Sequence, residues 1–295
     1  MSSLLVRVKS KLFIQSRRKA VHLLDGEYGS LIRGRSMDFD DLREYEAGDE
    51  VRDIDWKATA RHGAPLIKRY RASRRHTVTF VVDTGRNMAA QGLGGESKRD
   101  IALLSVGALG FLSVRHGDDV ALVYGDGDRV QRIPPASSEA QLERMLRVVH
   151  TRPTVTSARS DLPGLLSYVA RVFARRMILV IVADETPIDP AIEKLLRRLH
   201  VQHDILWVTV RDADLVSDHR AADVPLVDVA NGWAIPDFVH GNEDLRAEFA
   251  AAARSLESSR ASLLDSLEIS HISVGSEDDV IPGLLRLLER RMYAR

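Results

Sequence analysis

Two acids in this chain close apolar, β-branched runs: Asp83 ends TVTFVVD (77–83) and Asp184 ends MILVIVAD (177–184). A hydroxyl joins them in kind. Ser160 ends the polar loop TRPTVTSARS (151–160) and is followed by Asp161. Two carboxylates and a hydroxyl are hard oxygen donors, suited to Mg2+, Mn2+ or Ca2+. With a cation, the same acids could activate water, so a metal-dependent hydrolase stands beside a binding site as a reading. No general base or nucleophile is obviously arranged with them. Strand-end acids also cap helices and hold loops, and spacing alone does not choose.

A sheet must position these groups. Short apolar runs such as 77–83 and 177–184 read as strands buried on both faces, and so do DVALVYG (119–125) and DILWVTV (204–210). Helical spacing fills the gaps between them, over 97–115, 138–150, 161–174 and 190–199. Residues 129–133 suit a short hairpin partner stopped by Pro134-Pro135. Strands alternating with helices across 77–210 predict a doubly wound parallel sheet, whose ligands gather outside the strand carboxyl ends. Beyond Arg211 the pattern weakens: mostly loop over 212–240 with a short strand at 225–229, a helix at 243–267, a strand at 268–274 and a final helix at 279–291.

Composition narrows the class. The chain has 295 residues with 44% hydrophobic and 28% charged, values of a soluble globular protein. It has no cysteine, which excludes disulfides, thiolate zinc sites and cysteine nucleophiles. Net charge is zero, so no global field argues for nucleic acid. No apolar run approaches the roughly 18–20 residues that cross a bilayer, and the N-terminus has no signal-peptide pattern. These points predict a cytoplasmic protein.

Charge is blocky although it sums to zero. Residues 1–20 carry six bases and no acid, 38–55 nine acids against two bases, and 57–76 seven bases and no acid. Such blocks fold onto one another or onto a partner. Lys68, Arg69, Arg71, Arg74 and Arg75 read as partners for the acidic block. Residues 4–24 read as a basic amphipathic helix with Leu4, Leu5, Val8 and Leu12 on one stripe. That helix packs on the body of the protein or lies on an anionic membrane surface. His200, His203 and the other histidines read as structural or surface groups. Gly92, Gly94 and Gly95 lack the Gly-Lys-Ser/Thr that would make a phosphate loop. Lys98 reads as helix surface, Trp207 as core, and Trp56 as a buried anchor before a partner hot spot.

The segment FDDLREYEAGDEVRDIDWKATARHG (39–63), with RGRSMDF (33–39) before it, resembles the bacterial domain-of-unknown-function family 58. Its marker residues here are Arg43, Tyr45, Gly48, Asp49, Arg52, Asp55, Trp56 and Arg61. In that family the block immediately precedes a von Willebrand factor A-like domain. DTGRNM (83–88) sits where such domains carry Asp-x-Ser-x-Ser, Ser160-Asp161-Leu162 looks like their later Thr-Asp-Leu segment, and VIVADE (180–185) like their third ligand strand.

The resemblance therefore implies an α/β, von Willebrand A-like (Rossmann-like) doubly wound, mostly parallel sheet. It divides the chain into a basic N-terminal helix (1–24), a family-specific charged segment (25–75), the A-like domain (76–212) and a C-terminal helical extension with one short strand (213–295). The flanking segments are expected to pack beside the sheet. It also implies a degenerate metal-ion-dependent adhesion site at Asp83, Asn87, Ser160 and Asp184, binding Mg2+, Mn2+ or Ca2+ weakly. Gly85 stands where the first serine would be, Asn87 where the second would be, and Ser160 where threonine is usual. The implied activity is that of a non-enzymatic adaptor, docking a protein partner, a MoxR-type AAA+ ATPase, in complex assembly or maturation. A metal-dependent hydrolase and a membrane-peripheral scaffold are the alternatives.

Overall fold

The structure, a computed structural model, describes residues 3–15, 28, 37–46, 49, 54–72, 75–214, 227–234, 236, 239 and 242–293. Its centre is a six-stranded sheet of β3 (Thr77–Asp83), β4 (Asp119–Gly125), β5 (Val130–Ala136), β6 (Ile178–Asp184), β7 (Asp204–Val210) and β8 (Ser270–Val274), in the spatial order β5-β4-β3-β6-β7-β8. All neighbours are parallel except β4 and β5. This is the doubly wound, mostly parallel α/β arrangement expected. The strand order reverses between β3 and β6, so the carboxyl-end crevice of an open α/β sheet falls at the ends of these two strands. Asp83 and Asp184 are their last residues.

The strands pair in a register that keeps both faces apolar, with Phe80 beside Val180 and Val82 beside Val182. Because side chains alternate along a strand, Val78, Phe80, Val82, Val180 and Val208 join one core. Val81, Leu179, Ile181 and Trp207 join another on the opposite face. The first face carries α3 (Lys98–Arg115), α4 (Glu139–Thr151) and α8 (Glu277–Tyr293). The second carries α5 (Leu162–Val172), α6 (Pro190–Gln202) and the end of α7 (Glu243–Ser266). Trp207 is core as expected, its indole donating to Thr209 Oγ1 at 3.0 Å.

Two boundaries moved. β5 runs through Pro134 and Pro135 instead of stopping at them. It lies at the sheet edge, where a missing N–H costs no ladder bond. The C-terminal strand does more than accompany the sheet: β8 pairs with β7 and extends it beyond residue 212. Of the strand expected at 225–229, residues 225 and 226 lie outside the described residues, and Val227 makes a bridge to Ala234.

The N-terminal helix is described as α1 (Leu4–Gln15); residues 16–24 of the expected helix lie outside the described residues. Leu5, Val8 and Leu12 are buried among α3, α4 and α8. Its bases are matched to acids of those helices: Arg7 to Asp100 at 3.0 Å and to Glu277, Lys9 to Glu139 at 2.7 Å, and Lys11 to Glu277 at 3.0 Å. Glu143 of α4 accepts the Leu5 N–H at 2.8 Å, capping the helix start. The apolar stripe that would enter a membrane surface is thus spent inside the protein. Among the described residues no helix is long and apolar enough to cross a membrane.

The charged segment forms an antiparallel pair, β1 (Met37–Glu44) with β2 (Leu66–Ala72), enclosing α2 (Trp56–His62). The register sets Asp38 opposite Arg71 and Asp41 opposite Arg69, so the acidic and basic blocks do fold onto one another. Asp55 caps α2, accepting the N–H groups of Lys57 and Ala58 at 3.0 Å each. Arg43 pairs with Asp49 at 2.6 Å, and Asp49 also accepts the Glu46 N–H at 2.9 Å. These markers hold the local turn. Tyr45 and Arg61 are exposed, and Gly48 and Arg52 lie outside the described residues. Trp56 corrects the expectation of a buried anchor: it is 65% exposed, because α2 is a short helix that buries none of its residues.

Candidate functional site

At the carboxyl end of the sheet, alternation sends the two acids different ways. Asp83 shares its side of β3 with Val81, the α5 face, whereas Asp184 shares its side of β6 with Val182, the α3 face. Their partners agree. Asp83 is almost wholly buried, and its Oδ1 accepts the Gly85 N–H at 2.8 Å. Ser160 Oγ lies beside this carboxyl and favours its ionised form without completing a hydrogen bond. Burial outweighs these donors and pushes Asp83 up to about 6.

The loop carrying Ser160 is held tightly. Arg86 N–H donates to the Ala158 carbonyl at 2.9 Å, Arg86 Nε to the Ser157 carbonyl at 2.9 Å, and Gly127 N–H to the Arg159 carbonyl at 2.8 Å. Asp161 then caps α5, accepting the Gly164 N–H at 3.0 Å. The loop comes so close that a Cβ on Gly85 would lie 2.5 Å from the Ser160 nitrogen and 2.6 Å from its Cα. Glycine at 85 is therefore a packing requirement, and a serine oxygen cannot stand there unless the loop moves.

On the other side, Asp184 meets Lys98, the first residue of α3. The lysine side chain is 0% exposed. Its ammonium pairs with Asp184 Oδ1 and, at 2.5 Å, with Asp212 Oδ1. Asp184 Oδ1 also accepts the Glu185 N–H at 2.7 Å, and Oδ2 accepts Asn87 Nδ2 at 2.9 Å. Burial works against the Lys98 charge, but Asp184 and Asp212 overcome it and hold the ammonium above the ordinary lysine range. Burial likewise opposes ionisation of Asp184, and Lys98 reverses it, keeping the carboxylate below its usual range. Asp212 is pushed up by burial and by Asp184. Its side chain is 48% exposed, so water screens that repulsion and the pairing with Lys98 governs it.

The predicted ligands Asp83, Asn87, Ser160 and Asp184 are thus gathered at one end of the sheet. Asp83 Oδ2, Asn87 Oδ1 and Ser160 Oγ are buried without a hydrogen-bond partner, and oxygens of this kind suit a divalent ion. The positive charge they would share is already supplied. Lys98 occupies Asp184, and Gly85 brings no side-chain oxygen. As they stand, these residues do not fit a divalent ion. Among the described residues no group of three or more His, Asp or Glu side chains is arranged to hold a metal.

Lys98 and Asp212 were not read from the sequence as site residues. A signal for Lys98 existed: it stands three residues before Ile101 and so on the buried stripe of α3, not on the helix surface. Asp212 follows β7 by two residues, on the side of Val208 and Val210. The segment with Gly92, Gly94 and Gly95 bridges Gln91 to Ser97 and Gly92 to Asp212, positioning that acid. His203 is buried in the core, as a structural histidine.

Two adjoining clefts open over this site. One, of about 710 Å3, is lined by Asn87, Asp184, Thr186, Asp212, Val227 and Trp233 among others. The second, of about 550 Å3, shares Glu185, Asp212 and Trp233 and continues along Leu93, Phe249 and Leu256. Leu93, Trp233, Phe249 and Leu256 are all more than 40% exposed, leaving an apolar rim around a polar floor. Buried Arg260 ties α7 to this floor by donating to the Glu185 carbonyl at 3.1 Å.

Comparison with known proteins places the chain. A family model described as protein of unknown function DUF58 matches residues 41–259. Uncharacterized proteins of Mycobacterium bovis and Mycobacterium tuberculosis are each 27% identical over 277 residues, 93% of this chain and 86% of the relative. Among solved structures, an aerotolerance-related membrane protein from Bacteroides fragilis is 13% identical, covering 73% of this chain and 99% of that one with a TM-score of 0.46. The conserved hypothetical protein BatB from Bacteroides thetaiotaomicron is also 13% identical, covering 75% and 100% with a TM-score of 0.46. A von Willebrand factor type A protein from Catenulispora acidiphila is 10% identical, covering 76% and 44% with a TM-score of 0.41. At these scores the structural likenesses add nothing to the fold that the strand order already defines.

Proposed function

This chain belongs to the DUF58 family, and we propose that it is a non-enzymatic protein-interaction module whose docking face is the carboxyl end of its sheet. The observation that carries this reading is the pair of adjoining clefts at the topological switch point, with exposed Leu93, Trp233, Phe249 and Leu256 around them. Exposed aromatic and aliphatic groups beside a recessed polar floor are the anatomy of a partner site. The partner we assign is a MoxR-type AAA+ ATPase in the cytoplasm, in complex assembly or maturation, an assignment that rests on the family resemblance of residues 39–63.

The hydrolase reading is less well supported. A general base needs a carboxylate oxygen free to take a proton from water. Both oxygens of Asp184 are engaged, and Asp83 is buried beneath the Ser160 loop.

Affinity purification of the tagged chain from its own host, with and without a non-hydrolysable ATP analogue, tests the proposal. A MoxR-type ATPase should be captured by the wild type and lost from a Trp233→Ala/Thr186→Arg variant that blocks the clefts. Consistent absence of any AAA+ ATPase would sink the partner, and capture indifferent to the cleft variant would move the docking face elsewhere.

A further inference from the structure

We propose that Lys98 is the resident cation of this site: its ammonium takes the position that a divalent ion would otherwise fill, so the face is built to work without metal. The inference concerns the same end of the sheet as the proposed docking face but does not depend on whether a partner docks there.

Three relationships carry it. The first is placement. Lys98 is among the largest fully buried side chains of the protein, and it spends that burial on a position between Asp184 and Asp212. A buried lysine charge is costly unless paired, so a lysine kept here is kept for its charge. The second is valence. Each oxygen of Asp184 already has a partner: Lys98 and the Glu185 N–H take Oδ1, and Asn87 takes Oδ2. Asn87 donates to the carboxylate through Nδ2, which leaves only its Oδ1 as a possible ligand atom. The third is space. The Ser160 backbone lies where a Cβ on Gly85 would have to be. The lack of a side-chain oxygen at Gly85 and the ammonium of Lys98 act in the same direction: few ligands on the β3 loop and a fixed positive charge on α3.

The oxygens left over, Asp83 Oδ2, Asn87 Oδ1 and Ser160 Oγ, show that donors are not what is short. An ion bound to them and to Asp184 would sit within a few ångström of the ammonium, in a region where water screens poorly. Removing that ammonium should therefore create a metal site.

The test uses Mn2+ as the probe, followed on the full-length protein by calorimetry and by the loss of the free-ion paramagnetic resonance signal. Wild type should show no saturable binding, and its melting temperature should be the same in excess Mn2+ and in EDTA. Lys98→Met should acquire one saturable site, tighter than any wild-type binding by roughly tenfold or more, the scale of removing one unit charge at close range. Adding Asp83→Asn to Lys98→Met should weaken that site again. If Lys98→Met does not fold alone, Mn2+ should restore its folding. Saturable, Asp83-dependent binding by the wild type would overturn the inference. So would a Lys98→Met protein that neither binds Mn2+ nor is rescued by it.

Discussion

Gly85 and Ser160 are in such close contact that no side chain fits between them: an added Cβ would be 2.5 Å from the Ser160 nitrogen and 2.7 Å from its Oγ. Gly85 lies in the loop after β3, its N–H held by Asp83, and Ser160 in the loop before α5, which is held through Ser157, Ala158 and Arg159. Gly85→Ser, which places a serine where the resemblance to von Willebrand A-like domains would put one, should destabilise the protein by about 1–3 kcal/mol, as overpacking does. Urea denaturation checks this. An unchanged midpoint would show that the 157–161 loop yields freely.

The Lys98–Asp184 pair is buried on both sides, with 0% and 7% side-chain exposure. Lys98→Met should cost about 3–5 kcal/mol, because it strands a carboxylate without its partner. Lys98→Met/Asp184→Leu should recover much of that loss, since burying neither charge avoids the desolvation of both. Equilibrium denaturation of the two variants in EDTA gives the comparison. Equal losses would mean that something other than the stranded charge is responsible.

Asp83 gives a pH dependence of definite sign. Burial raises it to about 6, so the folded state holds its proton more tightly than the unfolded chain. The resulting stability is fully present below the ordinary aspartate range and is lost as pH rises through about 6. Relative to Asp83→Asn, wild type should therefore lose about 3 kcal/mol between about pH 4 and pH 6 and stay level above that. Denaturation of both proteins across pH 4–8 measures the difference, and a flat difference would contradict the burial of an ionising group there.

Trp56 is 65% exposed on a helix that buries nothing. Trp56→Ala should shift folding stability by less than about 0.5 kcal/mol, the range of exposed substitutions. The same variant in the affinity purification shows whether this family-marker tryptophan meets a partner. A large fall in stability would instead restore it to the role of an anchor.

The N-terminal helix is a structural element in this fold. Leu12 is 1% exposed, and Leu12→Ala should cost about 2–5 kcal/mol, as core truncations do. With its stripe buried and its bases paired, the wild-type protein should not sediment with anionic vesicles at ordinary salt. Binding to such vesicles with α1 still in place would show that another surface meets the membrane.

Much of this protein could be read from its residues alone. Apolar β-branched runs ending in Asp83 and Asp184 determined the central strands, and helical spacing between them determined the winding, because period and burial are written locally. The charged block at 39–63 determined the family, and the opposition of acidic and basic blocks anticipated the pairing of β1 with β2. The loop at 151–160 was rightly brought to the sheet's carboxyl end.

What the tertiary structure alone decided is the state of the site. Lys98 lies 86 residues from Asp184 and 114 from Asp212. Nothing local tells an ammonium at the start of a helix whether it will meet water or two carboxylates. Strand alternation turned Asp83 and Asp184 towards opposite faces, and only the packing of α3 and of the Ser160 loop against those faces gave each acid its partner. The exposure of Trp56 was likewise settled by what α2 fails to pack against. Sequence spacing encodes which groups reach a common edge; the order in which layers stack on that edge determines whether they face a cation from solution or one supplied by the chain.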